Sequence, residues 1–260
     1  MEMLKGENME KEKWLKKQET AYHSKDGFVE LLILRGFDVI APLWDILEDV
    51  RSFSGGDNYV TLCGGYARYC ASTNKEPRSA GDVDIYCIDM EVFETLRNIL
   101  ENTYHLIIRH DNDTAVTYEK TTVGKLKDCP TIQIIKPINE GRKVAMGDTM
   151  TILENFDFTV VRAAIISPTL ALVDADFEHD EQYNIIRIKN IHCPISSNLR
   201  CMKYAKKGYF LTPSECMKLF IDWDDRDDSY RTKLKDFLLN KEGGYSEEDV
   251  DELEALMRID

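Results

Sequence analysis

Asp82 and Asp84, one residue apart in the segment Asp82–Ile88 (DVDIYCI), carry the chemistry written most plainly in this chain. Side chains two apart in an extended strand point the same way, so an Asp-x-Asp pair in an alternating apolar segment puts both carboxylates on one face. Such a pair can hold a hard divalent cation, Mg2+ or Mn2+, which takes carboxylate and phosphate oxygens together. Gly64 and Gly65 precede the pair, Gly65 by 17 residues, at the end of the short apolar run Tyr59–Cys63. Glycines at a strand-to-helix turn let the backbone come close to a ligand, and the unpaired amides of a helix start favour an anion such as a triphosphate. Each signal alone is weak, but the two in this order are hard to produce by chance. A strand pair whose glycines merely turn the chain and whose aspartates are solvated edge residues would leave the shared face unexplained.

The elements that must position these residues follow from the patterning. Tyr59–Cys63 reads as a buried strand, residues 66–73 as a helix, Asp82–Ile88 as a second strand and Met90–Glu101 as an amphipathic helix. Leu106–Arg109, Ala115–Glu119 and Thr131–Ile135 are strand-like runs between turn-rich loops. From Phe28 to Phe53, Leu31, Leu32, Leu34, Val39, Ile40, Leu43, Trp44, Ile46, Leu47 and Val50 fall near helical spacing with a break at Gly36, which predicts one or two packed helices. Residues 152–166 read as helix or as strand then helix, Tyr183–Ile191 as a short strand, and everything beyond Pro194 as helix. The fold class expected is α+β: a head with a mixed β-sheet flanked by helices over residues 27–192, a charged arm over 1–26, and a small helical neck with an acidic C-terminal region over 193–260.

Composition bounds the setting. Hydrophobic residues make up 43% of 260, ample for a core. No apolar run approaches the roughly 18 residues that cross a bilayer, and residues 1–17 are charged where a secretory signal would be apolar. The seven cysteines are scattered without zinc spacing and read as reduced thiols, which with the absence of a membrane partner predicts a cytoplasmic protein. The net charge of −14 excludes a surface that is basic throughout, so any RNA contact must be local. The acidity is concentrated in residues 211–260, with 15 Asp and Glu against 7 Lys and Arg, and suits a protein partner for that region. Within it, residues 246–249 (SEED) have the form of a capping box ahead of an apolar stripe at Val250, Leu253, Leu256 and Met257. His179 among Asp176, Glu178, Asp180 and Glu181 reads as a solvated loop, and Trp223 among five aspartates as a surface turn beside a buried ring, lacking the pattern of an EF-hand.

Gly64, Gly65 and Arg68 followed by Asp82 and Asp84 match, in order and spacing, the Gly-Gly-x-x-Arg and Asp-x-Asp motifs of the polymerase-beta-like nucleotidyltransferases, and within them the chain resembles the bacterial-type tRNA CCA-adding enzymes and poly(A) polymerases. The resemblance covers roughly residues 59–210. Asp157-Phe158-Thr159 is similar to the family's Asp-Phe-Thr motif, which helps shape the nucleotide pocket. Residues 200–205 (RCMKYA) are similar to the neck helix that offers basic residues to nucleotide and primer, and Arg200, Lys203 and Lys207 share one helix face. The chain departs from the family at Asn155-Phe156, where an Arg pair is usual, and at Val161, where Asn is usual. No Glu-Asp-x-x-Arg element is visible near residues 193–198. The third metal-site carboxylate aligns with Gln133, which cannot supply an anion. Either Glu119 or Asp157 serves instead, or the site is weakened.

The resemblance implies a metal-dependent enzyme that moves a nucleotide from an NTP onto an acceptor hydroxyl, an RNA 3′ end and tRNA first of all. Asp82 and Asp84 would be catalytic and metal-binding. Gly64, Gly65, Arg68, Asp157, Arg200 and Lys203 would bind nucleotide, with Mg2+ or Mn2+ as cofactor. Two alternatives stand beside it: transfer to a protein or small molecule, and a catalytically inactive fold used for binding or regulation.

Overall fold

A computed structural model describes residues 27–54, 59–74, 81–140, 143–192, 194–226 and 231–232. The charged arm, the capping box and about two thirds of the acidic C-terminal stretch lie outside the described residues. The central element is a mixed eight-stranded sheet in the order β1-β10-β9-β2-β3-β6-β5-β4. Its strands are β1 (Phe28–Leu32), β2 (Val60–Cys63), β3 (Asp82–Cys87), β4 (Ile108–Asp111), β5 (Ala115–Tyr118), β6 (Thr131–Ile135), β9 (Ala163–Ser167) and β10 (Leu170–Asp174). Only β3 and β6 run parallel within it; the other pairs are antiparallel. Two short ribbons stand apart, β7 (Asn139–Glu140) with β8 (Lys143–Val144), and β11 (Ile185–Ile186) with β12 (Phe210–Leu211). The described helices are α1 (Phe37–Ser54), α2 (Gly65–Ala71), α3 (Met90–Asn98), α4 (Thr149–Glu154), α5 (Phe177–Tyr183), α6 (Pro194–Lys206) and α7 (Pro213–Asp224).

One sheet face carries the main core. Val60, Leu62, Val83, Ile85, Ile132, Ile134, Val116 and Tyr118, all strictly alternating positions, pack with Leu43, Leu47 and Val50 of α1 and Val92, Phe93 and Leu96 of α3. Half of the opposite face is covered too: Phe28, Cys63 and Ala164 meet Ile152 and Leu153 of α4. The Thr61 and Thr149 hydroxyls, 2.8 Å apart, tie that helix to β2. The half of this face formed by β3, β6 and β5 presents Asp82, Asp84, Thr131, Gln133 and Thr117, none fully buried. A second core, Phe158, Val160, Ile186, Ile188, Cys201, Tyr204, Tyr209 and Leu219, joins the segment after α4 to α6 and α7.

Several sequence expectations are corrected. Residues 28–32 are an edge strand rather than helix, because β10 offers a ladder that helical spacing of Leu31, Leu32 and Leu34 cannot reveal. The helix starts only after Gly36, at φ +73°, where a Cβ would lie 2.7 Å from the Tyr69 ring. Residues 152–166 hold the end of α4, a 3-10 turn (Thr159–Val161) and then β9, a strand paired on both sides. β10 carries no helix-versus-strand signature and was not expected. The acidic cluster around His179 is helix α5, not a loop, ending at Asn184 in the left-handed conformation (φ 53°). Trp223 lies in α7 rather than a turn, and β12 interrupts the all-helical reading beyond Pro194.

Candidate functional site

β2 delivers Gly64 and β3 delivers the aspartates, and the two strands are in register with Cys63 opposite Asp84. Gly64 has φ 78° and ψ −138°, a conformation that favours glycine, and a Cβ there would sit 3.3 Å from Asp84 Oδ2. The glycine thus leaves open the space directly beside the carboxylate. Its N–H is held by the Ala163 carbonyl at 2.9 Å, so the loop is fixed on the β9 side. Gly65 begins α2.

Asp82 and Asp84 share the half-buried face, as the spacing predicts, while Val83, Ile85 and Cys87 point into the core. Burial first, then the neighbouring Asp82, push the Asp84 carboxyl up to about 7, opposed by Lys203. Tyr86, next on the same face, is pushed well up by burial and then by Asp84, with Arg200 opposing. Its ring meets Phe156 edge-on at 5.5 Å. Lys203 and Arg200, both on α6 and both exposed, therefore lie within electrostatic reach of this face.

The other expected residues divide. Asp157, 2% exposed, accepts hydrogen bonds from Arg200 Nη1 at 2.8 Å and Ser197 Oγ at 3.3 Å. These bonds lock α6 onto the Asp-Phe-Thr segment. Arg68 does not face the aspartates: it is 1% exposed, and its Nη1 donates to Glu181 Oε1 at 3.3 Å and Tyr209 Oη at 2.9 Å. Its charge is spent on joining α2 to α5 and the segment after α6. Lys207, just past α6, places its ammonium 5.0 Å from the Tyr204 ring centroid.

Gln133 stands beside Asp84 on the parallel neighbour β6. Glu119 follows β5 and is exposed, and Asp157 is engaged by Arg200 and Ser197. Three neighbours were not singled out in sequence: Tyr86 and Thr117, which strand alternation places on the aspartate side, and Ser197, which bonds Asp157. Among the described residues no group of three or more His, Cys, Asp or Glu side chains is assembled for a metal. Two carboxylates flanked by amide and hydroxyl oxygens nonetheless fit a hard cation that keeps waters and takes phosphate oxygens.

No family model matches the sequence, and no curated protein matches it. Solved structures do match. A tRNA-processing enzyme in its apo form I aligns at 15% identity over 72% of this chain and 47% of that one, with a TM-score of 0.51. The CCA-adding enzyme of Bacillus stearothermophilus in complex with CTP aligns at 17% identity over 67% and 41% of the two chains, with a TM-score of 0.47. The Thermotoga maritima CCA-adding enzyme complexed with tRNA aligns at 16% identity over 72% and 44%, with a TM-score of 0.45. The chain spans about half the length of the first of these and less of the others, and at 15% identity the likeness to the first is one of fold. Among the described residues no helix is long and apolar enough to cross a membrane.

Proposed function

We propose that this protein is a nucleotidyltransferase that moves a nucleotide from an NTP to an acceptor hydroxyl, the 3′ end of an RNA and most suitably a tRNA. The observation that carries the proposal is the space kept open by Gly64 at 3.3 Å from Asp84 Oδ2, on a face that the cationic side of α6 approaches. A phosphate can enter there only because no side chain fills it. Asp82 and Asp84 would hold Mg2+ or Mn2+, which supplies charge neutralisation to the triphosphate when bound. Lys203 and Arg200 would add positive charge from the α6 side, and the tie of Arg200 to Asp157 fixes where that charge stands. Arg68 would act at a distance, by holding α2 and its glycine turn in place.

Incubation with Mg2+, each labelled NTP in turn, and total cellular RNA plus protein tests the proposal. Label should enter small RNA and vanish, by a factor of about 1,000 or more, in Asp82→Ala/Asp84→Ala with the fold intact. Label in protein alone would move the acceptor. NTP binding without transfer would favour the second reading, a binding module, which the neutral Gln133 beside Asp84 supports.

A further inference from the structure

Across the open half of the sheet the register aligns one row of side chains, Cys63 on β2, Asp84 on β3, Gln133 on β6, Thr117 on β5 and His110 on β4. Two neighbours in that row are bonded: Gln133 Nε2 donates to Thr117 Oγ1 at 3.0 Å. The aspartates beside them have no hydrogen bond or ion pair to the described residues, so an unpaired acidic site adjoins a neutral side chain whose donor is already committed.

We infer that Gln133 Oε1 is the third oxygen ligand of a divalent cation held by Asp82 and Asp84, and that Thr117 is a positioning residue that orients it. This rests on the reading of the two aspartates as a metal site. The heteroatoms of a primary amide leave Cδ about 120° apart, so holding Nε2 toward β5 leaves Oε1 to face β3 and Asp84. Charge favours the arrangement as well. Two carboxylates balance one dication, and an amide oxygen completes the set without adding a negative charge to a carboxyl that burial and Asp82 already disfavour. The chain should therefore bind one dication in the absence of nucleotide. Thr117 is adaptable, because its hydroxyl accepts from an amide and would turn to donate to a carboxylate.

The test is Mn2+ titration of the full-length, metal-free protein without nucleotide, followed by the electron paramagnetic resonance signal of the free ion, with thermal melting to confirm that each variant folds. One Mn2+ should bind. Gln133→Leu and Thr117→Val should each weaken binding by about tenfold, as expected when a ligand or the group that orients it is lost, and Thr117→Ser should restore it. Gln133→Glu should tighten binding by about tenfold or more through the added charge. A folded Gln133→Leu that binds Mn2+ like the parent overturns the inference, as does a Gln133→Glu with unchanged affinity. The Asp82→Ala/Asp84→Ala control separates the two failures. If it loses Mn2+ while the Gln133 variants do not differ from the parent, only the role of Gln133 is wrong; if it binds Mn2+ normally, the metal site itself is wrong.

Discussion

Two pairs of acidic residues on either side of α2 meet opposite fates. Asp180 and Glu181 on α5 are 0% exposed, yet each has its charge answered by the protein. Thr159 Oγ1 at 2.6 Å and Arg187 at 2.9 and 3.0 Å donate to Asp180. Ser72 Oγ at 2.6 Å, Arg68 and Tyr209 Oη donate to Glu181. Asp82 and Asp84 keep contact with solvent and have no such donors among the described residues. The difference teaches how to read an acidic cluster: carboxylates that the chain itself bonds with several donors hold structure, and carboxylates without such bonds on an open face are the ones to examine for a ligand.

The harshest way to break this comparison is to remove the compensated pair. Glu181→Ala should cost about 3–5 kcal/mol, because it strands the Arg68 guanidinium, 1% exposed, without its buried counter-charge. Asp84→Ala should leave stability unchanged or raised, since it relieves repulsion from Asp82. Urea denaturation of both variants reads the contrast. A Glu181→Ala chain within about 1 kcal/mol of the parent would show that the Arg68–Glu181 latch between α2 and α5 is incidental.

Local periodicity explains why the site was more legible in sequence than its supports. Asp82, Asp84 and Gly64 are set by strand alternation and a glycine turn, both short-range, whereas Gln133 comes to notice only through the family resemblance, which leaves Glu119 and Asp157 open beside it. The burial of Arg68 against Glu181 is not legible locally, because Glu181 lies 113 residues away and Tyr209 farther still. The acidic run 176–181 looked solvated for the same reason: nothing local announces that Thr159 and Arg187 fold over it. β1 and β10 each look ambiguous alone and become strands through each other.

Acidity should sharpen the contrast with a smaller effect of opposite sign in the two pairs. Burial and Asp82 raise the folded Asp84 carboxyl to about 7 from its ordinary 3.8, so the folded state binds that proton more tightly than the unfolded chain. Its penalty is absent below about pH 4, develops as pH rises and is complete above about 7. Burial also opposes ionisation of Asp180, but hydrogen bonds from Arg187, Thr159 and His179 outweigh it and hold that carboxyl below its usual range. Its contribution is present above about pH 4 and is lost only in stronger acid. In metal-free buffer, Asp84→Asn should therefore gain on the parent between pH 4 and pH 8, by about 2 kcal/mol once screening on the open face is allowed for. Saturating Mg2+ should cancel that gain. A gain that is flat with pH would mean that neither burial nor Asp82 raises the folded Asp84 carboxyl.

The mildest test removes one donor from the compensated pair and leaves both charges in place. Tyr209 Oη accepts from Arg68 and donates to Glu181, so Tyr209→Phe deletes two bonds while the Arg68–Glu181 ion pair and the Ser72 bond remain. The ring still packs edge-on against Tyr204 at 5.4 Å, and no cavity opens. Thermal or urea unfolding should register a loss of about 1.5 kcal/mol, the size expected for hydrogen bonds to charged groups when the charge itself stays paired. The midpoint should fall clearly less than in Glu181→Ala. Equal losses in the two variants would place the latch in the hydroxyl rather than in the ion pair, and would make Arg68 available for a different role.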